Sequence, residues 1–173
     1  FDIICFQEFP SEKIDACMLS RKSTSDYRFA SSIYLKKKVY GQLTIFNKNS
    51  LALIDESIVS LGTSRIEKRV SQLFRRSTKR KSLLTSFETN THEKFTIANT
   101  HLSTIALNGH RINQLKKICV ATQKVAHALI VGDLNYTSAL PRFSLRRLIK
   151  KYQFEDATRT LKTHRLLFMK HQL

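Results

Sequence analysis

The sequence is poor in glycine, proline and long apolar runs. Its 173 residues include only 4 glycines and 2 prolines, a content that excludes collagen-like and low-complexity chains. No apolar run approaches the ~20 residues that a bilayer-spanning helix needs. With 42% apolar and 25% charged residues, the chain instead has the composition and length of one folded globular domain.

Cysteine is also scarce, and its three residues are widely spaced: Cys5, Cys17 and Cys119. The sequence has none of the short Cys-x-x-Cys pairs that are typical of zinc sites. Cys5 and Cys119 lie within apolar runs, so we expect them to pack as small hydrophobic residues. An odd number of cysteines at this spacing favours a reducing compartment such as the cytoplasm.

Acidic residues are few, since 13 Asp and Glu stand against 30 Lys and Arg, for a net charge of +17. Such an excess favours an anionic partner, a class that includes nucleic acid, an acidic membrane surface and phosphorylated substrates. The alternative is a basic surface with no specific partner, because net charge governs solubility and association but not fold. Composition alone leaves both interpretations open.

What the chain does contain is a series of short apolar runs, each closed by polar residues. The runs lie at 1–6, 41–46, 82–87, 94–98 and 128–131. Such runs are typical of central strands, and the polar residues 90–93 are typical of a hairpin turn. Apolar residues at helical spacing predict helices over 12–19, 111–125 and 141–152, the last with Pro141 in its first turn. Strands and helices in mixed order predict a layered α/β domain.

The segment 65–81 combines a helical pattern with a strongly basic tail. Ile66, Val70, Leu73 and Phe74 have helical spacing. The tail carries five cations: Arg75, Arg76, Lys79, Arg80 and Lys81. This pattern fits a solvated helix end or loop as well as it fits a phosphate-binding surface, so both interpretations stay open.

Four of the predicted strand ends carry polar side chains that suit phosphate chemistry: Glu8, His101, Asp133 and Asn135. These side chains converge if their strands are neighbours in roughly parallel register. Glu8 is then a hard oxygen ligand for Mg²⁺, and Asp133 orients or deprotonates a water molecule. His101 and Asn135 donate hydrogen bonds to phosphoryl oxygens. Together the four predict a metal-assisted phosphoester hydrolysis site.

Each of these residues also has an ordinary structural explanation when it is taken alone. Glu8 fits a solvated position just past a strand, and Asp133 and Asn135 are common turn residues after a glycine. A single histidine such as His101 is more often structural than functional. The functional interpretation therefore depends on the four side chains meeting in one place.

Five motifs resemble those of the endonuclease/exonuclease/phosphatase superfamily, which has the DNase I-like fold. They are D-I-x-x-x-Q-E at 2–8, a glycine-led strand at 41–48, N-T-H-L at 99–102, R-x-x-Q-L at 111–115 and G-D-x-N at 132–135. Any one of these motifs alone is a weak signal. Five matches in the order of the family, spread from residue 2 to residue 135, make the resemblance specific.

The resemblance implies a four-layer α/β/β/α sandwich, in which two packed mixed β-sheets are flanked by helices. It implies that Glu8 binds the metal, Mg²⁺ or alternatively Mn²⁺, and that His101 contacts the scissile phosphate. It further implies that Asp133 positions the nucleophilic water or a partner histidine, and that Asn135 stabilises the pentavalent phosphorane. Members of the family cleave DNA or RNA phosphodiesters, phosphoinositides or sphingomyelin.

The chain also departs from the family pattern at both ends. The family begins with a strand that ends in a catalytic Asn, and it closes with a D-Y-I strand and a terminal S-D-H, none of which this sequence contains. The stretches 163–165 and 171–173 resemble the approach to that D-Y-I strand. His164 and His171 lack a preceding Ser-Asp, so neither is assigned as the catalytic histidine. We therefore expect one domain over 1–173 that is incomplete at both ends.

These observations rank three functions. The first is a divalent-metal-dependent phosphoesterase, a nuclease on DNA or RNA, in which the cations of 75–81 contact the phosphate backbone. The second is a phosphatase or sphingomyelinase-type phosphodiesterase on phospholipid or inositol phosphate at an anionic membrane, although the sequence shows no amphipathic membrane-binding helix. The third is a non-catalytic nucleic-acid-binding relative. In each case we expect a monomer.

Overall fold

The computed structural model describes residues 2–19, 25–35, 38–136, 142–157 and 168–170. The elements, in chain order, are β1 (Ile3–Pro10), α1 (Ile14–Leu19), β2 (Ser25–Leu35), β3 (Lys38–Asn47), β4 (Leu51–Ser60), α2 (Arg65–Leu73), β5 (Arg76–Thr78), β6 (Lys81–Thr89), β7 (Lys94–His101), α3 (Asn108–Ala121), β8 (Ala128–Asp133), α4 (Arg142–Lys151), β9 (Phe154–Asp156) and β10 (Phe168–Lys170). A 3-10 turn, Ser11–Lys13, joins β1 to α1. Among these residues, no helix is both long and apolar enough to cross a membrane.

The strands form two sheets. The first has the order β1-β3-β2-β5, and its described strand pairs are all antiparallel. The second has the order β4-β6-β7-β8-β10-β9 and is mixed, because β7 and β8 run parallel while the other described pairs are antiparallel. The predicted hairpin turn at 90–93 joins β6 to β7.

Three apolar clusters set the order of the layers. Phe46 from the first sheet packs on Phe87 from the second, with ring centroids 5.0 Å apart, and forms the core between the sheets. Ile14 of α1 packs with Leu43 on the opposite side of the first sheet. The largest cluster joins the second sheet to α3 and α4: Leu61, Leu84, Ala98, Leu102, Leu115, Ile118, Cys119, Ala128, Ile130, Leu134, Leu145, Leu148 and Phe154. The layers are therefore α/β/β/α, as the resemblance implied.

The cysteines behave as small hydrophobic residues. Cys119 is buried in the cluster beneath α3, and Cys5 packs against the core between the sheets. Burial raises the pKa of the Cys5 thiol to about 11, although a hydrogen bond with Thr44 partly opposes the rise. A thiol with so high a pKa stays protonated at neutral pH, and this makes it a poor nucleophile and metal ligand.

The space between the sheets becomes polar toward the end where β1 and β7 terminate. Asn99 lies there with no exposed surface, and its amide donates to the carbonyl oxygens of Phe6 (3.2 Å) and Leu43 (3.1 Å). Its side-chain oxygen accepts from Gln7 Nε2 at 2.9 Å. These bonds join β7 of the second sheet to β1 and β3 of the first, and they hold the ends of β1 and β7 side by side.

Several predicted elements need adjustment. The helix expected over 12–19 is the short turn followed by α1, and the helix expected over 141–152 is α4; Pro141 lies outside the described residues. Strand β4 was not predicted, because Asp55 and Glu56 interrupt its apolar residues and most of the strand is exposed. The stretches 163–165 and 171–173, with His164 and His171, also lie outside the described residues.

Candidate active site

The four polar strand ends meet at one edge of the molecule. β7 and β8 pair in parallel register with His101 opposite Asp133, as the sequence predicts for converging strand ends. His101 Nδ1 lies 3.4 Å from Glu8 Oε1 at the end of β1. The backbone N–H of Asn135 donates to Asp133 Oδ1 at 2.9 Å, and Asn135 Nδ2 donates to the Leu102 carbonyl at 3.1 Å.

Gly132 explains how β7 and β8 approach closely enough to bring His101 beside Asp133. Its φ is +136°, and a Cβ at this position would lie 1.8 Å from the Thr100 carbonyl oxygen. Only glycine fits such a contact without moving a strand. The packing of β7 on β8 therefore requires the glycine of the G-D-x-N motif.

Two of the four residues have backbone conformations that are uncommon for side-chain-bearing residues. Glu8 has φ +53° and Asn135 has φ +49°, both in the left-handed region. Glu8 also lies in a break of register between β1 and β3, between Phe6 and Phe9. Such bulges re-aim side chains and occur often beside active sites, where local strain is tolerated for function.

The charged groups around His101 determine its protonation state. It is 5% exposed, and burial together with the nearby Arg80 guanidinium lowers its pKa below the ordinary value of 6.5. The carboxylates of Glu8, Asp133 and Glu67 act in the opposite direction but do not overcome these effects. At neutral pH the imidazole is therefore neutral, with one nitrogen that donates and one that accepts.

A buried ion pair lies behind His101 and Glu8. Arg80 is 3% exposed and donates to Glu67 Oε1 from Nε at 2.9 Å and also from Nη2. Nη2 further donates to Thr104 Oγ1 at 3.0 Å, whereas Nη1 has no hydrogen-bond partner among the described residues and lies 4.0 Å from Glu8 Oε1. Arg80 is therefore not the surface residue expected of the basic tail, because the pairing with Glu67 draws it into the floor of the site; its contact with phosphate stays a prediction.

The sequence analysis did not single out Glu67, although a local signal marks it. Ser64 is the N-cap of α2; its hydroxyl accepts from the Glu67 N–H at 3.0 Å and donates to the Ile105 carbonyl at 2.7 Å. The spacing Ser64-x-x-Glu67 is that of a capping box, which identifies a helix start. Here the glutamate turns inward to Arg80.

The other cations of the basic tail lie in different surroundings. Arg75 and Lys79 are exposed, whereas Arg76 in β5 and Lys81 at the start of β6 are half-buried. The basic tail is thus a short strand followed by a buried arginine and the first residue of the next strand. It is not one continuous solvated loop.

The R-x-x-Q-L motif fastens the loop that follows His101. Arg111 donates from Nε to the Ser103 carbonyl at 2.8 Å and from Nη2 to the Thr104 carbonyl at 2.6 Å. Gln114 accepts from the Ser103 N–H at 3.0 Å and donates to the Gly62 carbonyl at 2.7 Å. These residues are buried and bind protein backbone, so they position the site rather than touch a substrate.

The donor set fits one divalent metal ion that shares its coordination with a phosphate. The described residues contain no group of three or more His, Cys, Asp or Glu side chains placed to hold a metal. Mg²⁺ needs no such cage, because it binds through one or two carboxylates, water and substrate phosphate. Glu8 offers a half-exposed carboxylate, and beside it lie two buried nitrogens, Arg80 Nη1 and His101 Nδ1, that have no hydrogen-bond partner among the described residues.

Solved structures with the same fold come from several organisms. The chain matches the catalytic domain of human nocturnin with bound sulfate at a TM-score of 0.74 and 17% identity, over 98% of this chain and 69% of that one. It matches D. rerio TDP2 in complex with a single-strand DNA product at a TM-score of 0.68 and 12% identity, over 98% and 71%.

A third match is the mannosyl-6-phosphatase of Bacteroides thetaiotaomicron, with a TM-score of 0.71 and 15% identity over 98% of this chain and 71% of that one. No protein-family model and no curated protein matches the sequence. The α/β/β/α layers and these structural matches together show that the chain has the DNase I-like fold of the endonuclease/exonuclease/phosphatase superfamily.

Proposed function

We propose that the protein is a divalent-metal-dependent phosphoesterase that hydrolyses phosphodiester bonds in DNA or RNA. The observation that carries the proposal is the meeting of Glu8, His101, Asp133 and Asn135 at one edge, with Arg80 behind them. This arrangement combines a metal-binding carboxylate, a second carboxylate for water and several donors for phosphoryl oxygens.

The side chains divide the reaction between them. Glu8 would hold Mg²⁺, with Mn²⁺ as the alternative, and the ion would supply Lewis-acid stabilisation of the phosphate charge. Asp133 orients a water molecule and accepts its proton as the water oxygen attacks phosphorus; the P–O ester bond breaks, and the leaving oxygen takes up a proton from solvent. Neutral His101 and the free Nη1 of Arg80 donate to the non-bridging oxygens. Asn135 uses one amide hydrogen on Leu102 and keeps the other for the same purpose.

Charge supports nucleic acid as the substrate. The net charge of +17 favours a polyanion, because each neutralised phosphate adds affinity through counterion release. Exposed cations such as Arg75 and Lys79 are candidates for backbone contacts that carry no sequence information. The fold is also that of TDP2, which has been solved with a single-strand DNA product.

The test is hydrolysis of plasmid DNA, RNA and phospholipid by the wild-type protein and by two variants, with Mg²⁺ and with EDTA. Glu8→Gln removes the metal carboxylate and Asp133→Asn removes the water-orienting one, so each is expected to lower kcat about 100-fold or more. Glu93→Gln is the matched control, because Glu93 is exposed at the opposite end of β7. Thermal unfolding checks that all variants fold.

Each outcome decides between the candidate functions. Unchanged hydrolysis in Glu8→Gln and Asp133→Asn would contradict the site. Cleavage of phospholipid without cleavage of DNA or RNA would favour the phosphatase or sphingomyelinase-type alternative. Oligonucleotide binding with no hydrolysis by the wild-type protein would favour the non-catalytic nucleic-acid-binding relative.

A further inference from the structure

Helix α2 places its polar side inward and its apolar side in solvent. Its buried residues are Glu67 and Ser71, and Ser71 Oγ lies 3.0 Å from Thr78 Oγ1 in a hydrogen bond. On the opposite side, Leu73 is 81% exposed and Ile66 is 50% exposed. A surface helix normally buries its apolar stripe, so the orientation of α2 is the reverse of the usual one.

The exposed apolar surface extends past the end of the helix. Phe74, the C-cap residue, is 67% exposed, and Val70 lies half-buried between Ile66 and Leu73 at helical spacing. We call these four side chains, Ile66, Val70, Leu73 and Phe74, the α2 apolar surface. Leaving several large apolar side chains in water is unfavourable, so a group of them on one surface indicates an interaction site.

The exposed charged side chains near the α2 apolar surface are all cationic. Its charged residues are Arg65, Lys68, Arg69, Arg75, Arg76 and Lys79, all exposed apart from the half-buried Arg76. The Arg76 guanidinium lies 6.0 Å from the centre of the Phe74 ring. The only acidic residue between 65 and 79 is Glu67, which has no exposed surface and faces Arg80. The partner of this surface must therefore be both anionic and apolar.

We propose that α2 and the turn after it dock the protein on a bilayer that contains anionic phospholipid. Aliphatic side chains such as Ile66 and Leu73 enter the acyl-chain boundary, while flanking Lys and Arg side chains lie at the level of the headgroups. Each cation near such a surface adds electrostatic attraction to the anionic headgroups. A single-stranded nucleic acid fits this surface less well, because bases stack on aromatic rings and the surface has only Phe74.

Docking in this way would bring the candidate active site close to the bilayer. The inner side of α2 carries Glu67, which holds Arg80 beside Glu8 and His101. A helix is only about 10 Å across, so its outer side and the floor of the site are separated by roughly that distance. The inference goes beyond the proposed hydrolysis, since it concerns where the protein binds and not what it cleaves.

The experiment is co-sedimentation of the whole chain with vesicles of phosphatidylcholine, with and without phosphatidylserine. The wild-type protein is expected to bind only the vesicles with phosphatidylserine, and Leu73→Ser/Phe74→Ser is expected to reduce the bound fraction about tenfold or more. Phe143→Ser is the matched control, because Phe143 is 75% exposed on α4, beside other cations. A second variant, Arg65→Gln/Arg69→Gln, is expected to weaken binding without touching an apolar residue.

Four results would overturn the proposal. They are failure of the wild-type protein to bind phosphatidylserine vesicles, undiminished binding by both double variants, an equal loss in Phe143→Ser, and loss of oligonucleotide binding with vesicle binding intact in Leu73→Ser/Phe74→Ser. The last result would assign the surface to nucleic acid. Glu8→Gln is expected to bind vesicles normally, so failure of the hydrolysis proposal and failure of this one are told apart.

Discussion

At the scale of single residues, Asn99 contributes to the site without being part of its chemistry. It is completely buried between the sheets and uses its amide in hydrogen bonds with Gln7, Phe6 and Leu43. Those bonds fix the end of β1, where Glu8 lies, against the end of β7, where His101 lies. A residue of the N-T-H-L motif is thus explained by the packing of one sheet on the other.

Replacing Asn99 with leucine is expected to lower the free energy of unfolding by about 3 kcal/mol. The substitution keeps the volume but leaves two carbonyl oxygens and the Gln7 amide without partners in a buried space. Urea denaturation measures the effect. The control is Asn90→Ala, in the exposed hairpin turn, which is expected to change stability by no more than about 0.5 kcal/mol. Equal stability of the two variants would contradict the role assigned to Asn99.

At the scale of elements, the parallel pair of β7 and β8 is what makes the candidate site. The pair puts His101 opposite Asp133, and Gly132 permits it because no side chain fits against Thr100. Helix α3 then secures the loop after β7 through Arg111. The R-x-x-Q-L motif therefore supports the candidate site, whereas the chemistry proposed above belongs to residues of the N-T-H-L and G-D-x-N motifs.

A pair of glycine substitutions tests the close contact between β7 and β8. Gly132→Ala is expected to destabilise the protein by about 3 kcal/mol or more, because the added Cβ meets the Thr100 carbonyl at 1.8 Å and the backbone stays at φ +136°. Gly109→Ala is expected to stabilise it by about 0.5 kcal/mol, because Gly109 lies in α3 with nothing within 4 Å of an added Cβ. Thermal unfolding measures both, and equal melting temperatures would contradict the close strand contact.

Helix α2 shows why an element can be detected from sequence while its orientation is not. The helical spacing of Ile66, Val70 and Leu73 fits α2, and an apolar stripe of this kind normally faces the core. Glu67 is buried against Arg80, which follows it by 13 residues in the chain and contacts it in the fold. This contact turns the apolar stripe outward. The docking proposed above would make α2 an amphipathic membrane-binding helix, which the sequence pattern did not indicate.

At the scale of the whole molecule, the positive charge affects binding and not folding. The net charge of +17 does not interfere with assembly of the four layers, because the core clusters are apolar and Arg80, which is 3% exposed, is paired. Exposed cations such as Arg75 and Lys79 are available for a polyanion in solution. Their effect is long-range and is screened by salt.

Affinity for a single-stranded oligonucleotide is therefore expected to fall at least about tenfold between about 50 and about 200 mM salt. Fluorescence anisotropy in EDTA measures it without hydrolysis. An uncharged peptide nucleic acid of the same sequence is the control and is expected not to bind. Affinity that does not change with salt would show that phosphate contacts do not dominate binding.

The sequence by itself determined the layered α/β class and the strand ends that carry Glu8, His101 and Asp133, and its net charge favours an anionic partner. These follow from local patterns and from motifs whose residues lie close together in the chain. Only the tertiary structure decided that Arg80 is buried and that the apolar side of α2 faces solvent. Both depend on which residues meet in the fold. The contact with Glu67 changes the environment of Arg80 more than the neighbours of Arg80 in the sequence do.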